Sequence, residues 1–167
     1  MIIGIGGVSR AGKSTLAARL ADFFKRNGQT TDIFCQDEYV KPKISIPKVQ
    51  GVPDWERPST IKWDKLTKDI EKSTADIKVV EGLFSFYPAS LRKMYDLKVF
   101  LEISKETFQQ RKNTDQRWEE EPDWYAEHVW RSYLKYGQTK GDKGEYMILS
   151  GESEVDLLKI VSGTTSD

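Results

Sequence analysis

A glycine-rich segment near the start of the chain carries the clearest chemical signal. Residues 7 to 14 satisfy the pattern G-x-x-x-x-G-K-[ST], and they are, in order, Gly7, Val8, Ser9, Arg10, Ala11, Gly12, Lys13 and Ser14, followed by Thr15. Small residues let backbone N–H groups turn inward around phosphate oxygens, and a following helix adds its partial positive charge. We expect Lys13 to reach the β- and γ-phosphates and the Ser14 hydroxyl to ligate Mg²⁺. A dinucleotide motif starting at Gly4 is excluded because Ser9 occupies its third glycine position. The segment therefore predicts nucleoside-triphosphate binding without choosing between ATP and GTP.

Two carboxylates follow predicted strands and are candidates for proton transfer or metal binding. Asp37 comes just after the strand at residues 31–35, and Glu81 comes just after the strand at 77–80. The carboxyl ends of parallel strands meet at one edge of a sheet, where Asp37 would take a proton from an acceptor hydroxyl. Glu81 would hold a metal-bound water or orient the acceptor. Taken singly, either carboxylate is also compatible with a surface turn.

The long segment between residues 41 and 58 contains an aromatic-acid pair, Trp55-Glu56. An indole can stack on a flat ring and the carboxylate can accept hydrogen bonds from a polyol, although a tryptophan that closes the core is the alternative. Farther along, Arg111, Lys112 and Arg117 lie where a lid could bring positive charge to a transferring phosphoryl group. They are equally compatible with ordinary helix C-terminal cations. The single histidine, His128, is interpreted as structural or as a contact under the lid.

Strands and helices alternate along the chain. We predict strands at residues 1–5, 31–35, 77–80, 97–103 and 146–149, and helices from 13 to the Asn27-Gly28 stop and at 60–72, 89–95, 104–112 and 125–136. This order predicts an α/β, three-layer P-loop NTPase fold, a parallel sheet with helices on both faces and a small lid. We expect one domain over residues 1–167, with the lid at about 112–124.

The composition of the chain excludes several classes of binding partner and several kinds of site. Lys and Arg total 26 and so do Asp and Glu, which argues against a nucleic-acid coat or a polybasic membrane binder. Cys35 is the one cysteine, so an intrachain disulfide and a multi-cysteine metal site are excluded. The N-terminal apolar run is too short for a signal sequence, and no stretch has the length of a membrane span. We expect a cytoplasmic protein; its oligomeric state is not predicted.

A guanine-reading motif, N/T-K-x-D, would indicate a GTPase, and residues 139–142 read TKGD. This tetrapeptide follows a polar segment and not a buried strand, so we interpret it as a chance match.

Several segments together resemble the uridine kinase-like P-loop kinases, and within them the nicotinamide riboside kinases. They are IIGIGGVSRAGKSTLA, QDEYVKP, DWERP, VVEGLFSF, QQRKNT and HVWRSYLKYGQ, which span residues 2 to about 138. The P-loop is shared by a vast superfamily, whereas QD-x-(aromatic)-x-KP together with HVW-x-x-YLKY is much more specific.

The resemblance implies roles for particular residues. Asp37 matches the catalytic base toward a 5′-hydroxyl, close to Mg²⁺, and Ser14 matches the magnesium-binding hydroxyl. Trp55 and Glu56 match a pair that stacks the base and holds the ribose, with Glu56 in place of a more usual Asp. The other implied positions are Arg111, Ser150, Gly151 and Glu152 on the ATP side, and Glu38, Tyr39, Val40, Glu81 and Lys112 on the substrate side. Asp115 stands where a further lid arginine is common, and Arg117 is the candidate replacement.

The predicted function is transfer of a phosphoryl group from ATP, with Mg²⁺, to the 5′-hydroxyl of a ribonucleoside, with nicotinamide riboside first among acceptors. A uridine or cytidine kinase is the alternative within this class. A regulatory module that binds nucleotide without transferring phosphate is the alternative from another class. A nucleoside panel with ATP and Mg²⁺ distinguishes these hypotheses.

Overall fold

A computed structural model describes residues 1–114 and 121–162 of the protein. The predictions about Asp115, Arg117 and the central part of the lid lie outside these residues.

The secondary structure begins with β1 (Ile2–Gly7), α1 (Lys13–Arg26) and β2 (Thr31–Cys35). A short hairpin, β3 (Lys48–Val49) and β4 (Val52–Pro53), precedes α2 (Trp63–Lys72) and β5 (Ile77–Glu81). The chain continues with α3 (Ala89–Met94), β6 (Leu97–Glu102), α4 (Lys105–Asn113), α5 (Asp123–Ser132), β7 (Met147–Ser150) and α6 (Leu157–Ser162).

The central sheet has the strand order β2-β5-β1-β6-β7, and each adjacent pair is parallel. Helices flank the sheet on both faces, so the predicted three-layer α/β fold is confirmed. From β1 the chain continues to β2 on one side of the sheet, and from β6 it continues to β7 on the other side. The direction of the connections therefore reverses next to the loop that follows β1. Ligands of open α/β sheets bind at such a point, outside the carboxyl ends of the strands.

The two faces of β1 are occupied differently. Ile3 and Ile5 are fully buried on one face, since successive side chains of a strand alternate in direction. On the other face a Cβ added to Gly4 would lie 2.5 Å from the Tyr95 ring, and one added to Gly6 would lie 2.4 Å from the Phe86 ring. These two glycines therefore make room for aromatic rings, and the phosphate loop proper begins after them.

The structure departs from the predicted elements most clearly at α2, at the end of α5 and in the segment before α2. Helix α2 begins at Trp63 and not at residue 60, because the Thr60 hydroxyl donates to the carbonyl of Arg57 and Ile61 pairs with Val40 in a β-bridge. Helix α5 ends at Ser132 and continues as a π-helical turn over Tyr133–Gly137. The segment between residues 41 and 58 contains the β3–β4 hairpin, whose turn residues Gln50 and Gly51 have φ angles of 48° and 82°.

Among the described residues, no helix is both long enough and apolar enough to span a bilayer.

Candidate active site

The glycine-rich loop connects β1 to α1, as its sequence predicts. Val8 and Ala11 are buried and hold the loop against the core, and the Ala11 N–H donates to the Val8 carbonyl at 3.2 Å. Gly12 precedes the helix with a φ of 94°, which favours glycine. The Lys13 ammonium donates to the Val8 carbonyl at 2.9 Å, so it lies inside the curve of the loop. This is the position from which a lysine can reach phosphates held by the backbone N–H groups.

Three polar groups meet beside Lys13 at the carboxyl edge of the sheet. The Ser14 hydroxyl donates to Glu81 Oε1 at 2.8 Å, and the Glu81 side chain is 3% exposed at the end of β5. Burial lowers the pKa of Lys13, while the negative charges of Glu81 and Asp37 oppose that change. Asp37 itself is exposed in the 3₁₀ turn that follows β2. The structure thus brings together a lysine, a hydroxyl and two carboxylates from three separate segments.

Gln36 sets the distance between these segments. Its side chain is buried and accepts a hydrogen bond from the Phe84 N–H at 2.8 Å, so the turn after β2 is tied to the turn after β5. A Cβ on Gly82 would lie 2.4 Å from the Gln36 Cβ, which shows how closely the two turns pack. Asp37 directly follows Gln36, and Glu81 directly precedes Gly82. Sequence reasoning missed Gln36, because a glutamine next to a catalytic candidate gives no signal of burial.

The oxygen ligands fit Mg²⁺. Within residues 1–114 and 121–162 there is no cluster of three or more His, Cys, Asp or Glu that would hold a metal by protein ligands alone. Mg²⁺ usually keeps several waters and binds through one or two protein oxygens plus substrate phosphates. The Ser14 hydroxyl, with the buried Glu81 carboxylate 2.8 Å from it and Asp37 nearby, supplies hard oxygen donors of this kind.

On the other side of the loop, Arg111 joins the phosphate loop to the turn after β7. One nitrogen of its guanidinium, Nη1, donates to the carbonyls of Arg10 and Gly151, each at 2.9 Å. A Cβ on Gly151 would lie 2.4 Å from the Ala11 carbonyl oxygen, so only glycine allows this approach. Arg111 therefore links two segments that are predicted to bind ATP.

Ser150 and Glu152 flank Gly151 on the exposed edge of the sheet. Glu152 Oε1 accepts hydrogen bonds from the backbone N–H and the hydroxyl of Ser104, both at 2.7 Å. These bonds, the backbone one first, lower the pKa of Glu152 to about 2. Ser104 also caps α4 by accepting from the Thr107 N–H. The segment at residues 150–152, predicted to bind ATP, is thus fastened to the start of α4.

Trp55 and Glu56 lie in the segment after the β3–β4 hairpin, and both side chains are half-buried. The pKa of Glu56 is raised to about 7, first by burial and then by the carboxylates of Asp37, Asp54 and Glu121, against the opposing charge of Lys112. Glu56 and Asp37 are therefore close enough for their charges to interact.

Lys112 pairs with Glu121, with Nζ and Oε2 2.7 Å apart. Of the remaining substrate-side predictions, Glu38 is exposed, Tyr39 is buried beneath the Lys65 ammonium, and Val40 pairs with Ile61. Tyr39 thus contacts α2, and Val40 pairs with the segment that leads into α2.

Asp54 is the polar residue of this region that sequence reasoning passed over. Its side chain is fully buried, with Oδ1 2.7 Å from His128 Nε2, and it forms an ion pair with Arg57. Burial alone would raise the pKa of Asp54, but the hydrogen bonds from His128 and Arg57 hold that pKa below its usual value. Its position next to Trp55 was visible in the sequence, but its partner lies 74 residues away.

The TKGD tetrapeptide lies in a turn before β7, where Asp142 accepts a hydrogen bond from the Gly144 N–H at 2.9 Å. It follows no strand, in agreement with its interpretation as a chance match.

Comparison with known proteins supports the resemblance seen in the sequence. The chain is 28% identical over 177 residues to human nicotinamide riboside kinase 1, covering 93% of this chain and 87% of that protein. It is 26% identical over 133 residues to the uridine kinase of Ureaplasma urealyticum, covering 64% of each chain. The chain therefore spans somewhat less than two thirds of that uridine kinase. The sequence matches no protein-family model.

Solved structures share the fold. A possible uridine kinase from Bacillus stearothermophilus superposes with a TM-score of 0.53 at 22% identity, covering 82% of each chain. Shikimate kinase from Aquifex aeolicus gives a TM-score of 0.57 at 17% identity, covering 98% of this chain and 96% of that one. The resemblance to uridine kinase-like P-loop kinases and the fold are therefore confirmed. The named relatives are phosphotransferases, in agreement with the predicted enzyme class.

Proposed function

We propose that this protein is an ATP-dependent kinase that phosphorylates the 5′-hydroxyl of a ribonucleoside, with nicotinamide riboside as the preferred acceptor. The observation that carries the proposal is the meeting of Lys13, Ser14 and Glu81 with Asp37 at the carboxyl edge of the sheet. The phosphate-binding loop alone is compatible with binding, whereas a carboxylate opposite Lys13 supplies a proton acceptor for transfer.

In the proposed reaction, Asp37 orients the 5′-hydroxyl and accepts its proton as the hydroxyl oxygen forms a bond to the γ-phosphorus. The bond between the γ-phosphorus and the β–γ bridging oxygen breaks, and ADP leaves. Lys13 stabilises charge on the β- and γ-phosphates, and Arg111 keeps the phosphate loop against the turn at Gly151. Bound Mg²⁺, held through Ser14 and the neighbouring carboxylates, would neutralise further phosphate charge. Catalysis of this kind depends mainly on positioning and electrostatics.

The charges near Trp55 favour a cationic acceptor. Glu56 is flanked by Asp37, Asp54 and Glu121, whereas Lys112 opposes it with one positive charge and is itself paired with Glu121. Asp54 is paired with Arg57, and Lys13 acts on Glu81 and Asp37, so carboxylates still outnumber the cations around Glu56. A pyridinium ring would gain from these carboxylates and from stacking on an indole, whereas uracil or cytosine would gain from stacking alone.

A matched pair of acceptors tests the proposal. Nicotinamide riboside and its 1,4-dihydropyridine form have the same size and the same 5′-hydroxyl, but the reduced form lacks the positive charge. With ATP and Mg²⁺, we expect a 5′-monophosphate from the pyridinium nucleoside, detected by chromatography with mass spectrometry, and a kcat/KM at least about tenfold lower for the dihydro form. Uridine and cytidine complete the panel, and the 5′-deoxy analogue of the preferred acceptor is the negative control.

The outcomes separate the hypotheses. Preference for uridine or cytidine would identify a pyrimidine nucleoside kinase and contradict the charge argument. ATP binding without a phosphorylated product from any acceptor would contradict the kinase proposal and support the regulatory module.

A further inference from the structure

One face of α5 contacts the acceptor segment at three points. Tyr125, His128 and Ser132 follow one another at spacings of three and four residues, which places them on one side of a helix. The Tyr125 hydroxyl lies 3.5 Å from the Pro53 carbonyl, His128 contacts Asp54, and the Ser132 hydroxyl donates to the Glu56 carbonyl. The helix thus contacts Pro53, Asp54 and Glu56, which lie on both sides of Trp55 in the chain.

Asp54 is the central group of this contact. Its carboxylate is 0% exposed, and a buried carboxylate is stable only when hydrogen-bonded or paired. Oδ1 receives His128 Nε2 at 2.7 Å and the Glu56 backbone N–H at 3.3 Å, while Oδ2 faces Arg57. Because the lowered pKa of Asp54 keeps the carboxylate ionised, and an ionised carboxylate can only accept, His128 Nε2 carries the proton of this bond.

The partners of Asp54 differ in rigidity. Arg57 belongs to the same segment as Asp54 and its side chain is 49% exposed, so it moves with the segment and is screened by water. His128 belongs to α5 and its side chain is 24% exposed, with the rings of Trp124 and Tyr125 packed beside it. His128 is thus the partner that ties Asp54, and with it the Glu56 peptide, to a helix.

We propose that His128 is a positioning residue for acceptor binding, and that it acts through Asp54 to hold Trp55 and Glu56 in place. The proposal rests on the proposed function, because Trp55 and Glu56 are taken there to bind the nucleoside. In this role His128 acts through Asp54 and not by direct contact with the phosphates or the acceptor. Removing the His128 side chain takes one hydrogen bond away from the Asp54 carboxylate, which also accepts from the Glu56 N–H. Acceptor binding therefore weakens, while the phosphate loop is unchanged.

The kinetic test compares His128→Ala with Arg131→Ala. Arg131 lies on the same helix, is exposed, and pairs with Glu127, so its loss removes a side chain of α5 without touching the acceptor segment. We expect His128→Ala to raise the acceptor KM by about tenfold or more, with the KM for ATP within about twofold of the wild type. His128→Gln, which restores an N–H donor of similar reach, should return the acceptor KM most of the way to the wild-type value.

Three results would overturn the proposal. They are an unchanged acceptor KM in His128→Ala, an equal rise in Arg131→Ala, and a His128→Gln variant as weak as the alanine variant. Should His128→Ala fail to fold, His128→Asn, whose amide is too short to reach Asp54, is tested against His128→Gln under the same expectations.

A second readout does not depend on catalysis. The Asp54 N–H donates to the Pro47 carbonyl at 2.7 Å, so its hydrogen exchange reports whether the segment stays in place. In ATP-bound protein we expect faster exchange for the peptide covering residues 53–57 in His128→Ala, and wild-type exchange there in Arg131→Ala. If wild-type protein phosphorylates no nucleoside, the proposed function fails, while this exchange experiment still decides whether His128 holds the segment. Equal exchange in the two variants would contradict the positioning role.

Discussion

Replacing Glu56 with glutamine should stabilise the protein at alkaline pH while weakening the binding of a cationic acceptor. Burial, followed by the nearby carboxylates, raises the pKa of Glu56 from 4.5 to about 7. Below pH 4.5 the carboxyl is protonated in both the folded and the unfolded chain, so it favours neither state. As the pH rises from 4.5 to 7, the unfolded chain loses this proton first, and the free energy of unfolding decreases.

The pKa difference sets the size of the effect. The shift from 4.5 to about 7 corresponds to about 3 kcal/mol at 1.36 kcal/mol per unit. Since the side chain is only half-buried and water screens part of its charge, we expect about 1–2 kcal/mol of this to be measurable. Glutamine has nearly the same shape and does not ionise, so Glu56→Gln removes the penalty without opening a cavity.

Chemical denaturation at two pH values measures this difference in the free energy of unfolding. At pH 8 we expect Glu56→Gln to unfold with a free energy about 1–2 kcal/mol higher than the wild type, and at pH 4.5 the two should be equal within error. Glu71→Gln, at an exposed position of α2, is the matched control and should change neither value. A Glu56→Gln protein that is less stable at pH 8, or a difference that is the same at both pH values, would refute the reasoning.

The same substitution tests the role of the carboxylate in binding. A pyridinium acceptor favours the ionised form of Glu56, so its KM should fall as the pH rises from 6 to 8 in the wild type. In Glu56→Gln the KM should be higher at pH 8, by about tenfold, and nearly independent of pH in this range. A KM for the neutral dihydro acceptor that follows the same pH profile as the cation would contradict this assignment.

Other substitutions test the remaining parts of the site. Asp37→Asn should lower kcat by on the order of a hundredfold or more while ATP affinity, measured by calorimetry, stays near wild type, and Asp22→Asn, an exposed change on α1, should alter neither. Near-normal turnover in Asp37→Asn would exclude it as the base. Gly151→Ala should raise the KM for ATP several-fold and leave the acceptor KM unchanged, since the added Cβ would lie 2.4 Å from the Ala11 carbonyl oxygen and push the two segments apart; an unchanged KM for ATP would show that this contact is dispensable. Burial, with Glu81 and Asp37, raises the pKa of the Cys35 thiol to about 12, so iodoacetamide at pH 8 should alkylate it slowly in the native protein and rapidly in urea, as followed by mass spectrometry. Equal rates in the two states would contradict this shielding.

The phosphate loop was largely predictable from sequence, because its residues are close along the chain. The residues from Gly7 to Ser14 form one turn between a strand and a helix, and local backbone geometry explains each of their types. The capping of α4 by Ser104 was predictable for the same reason, since its partner Thr107 is three residues away. The predicted start of α2 was wrong because the Thr60 hydroxyl bonds locally to the Arg57 carbonyl and Ile61 pairs with Val40 in a β-bridge.

The sequence by itself specified the phosphate loop, the alternation of strands and helices, and the two carboxylates at strand ends, since these follow from local spacing and periodicity. Only the tertiary structure decided how the pieces meet. It placed Glu81 on the Ser14 hydroxyl, used Arg111 to join the phosphate loop to Gly151, and brought His128 to the buried Asp54. Each of these contacts joins residues between 40 and 101 positions apart, and their energy comes from burial and charge pairing that no local pattern encodes.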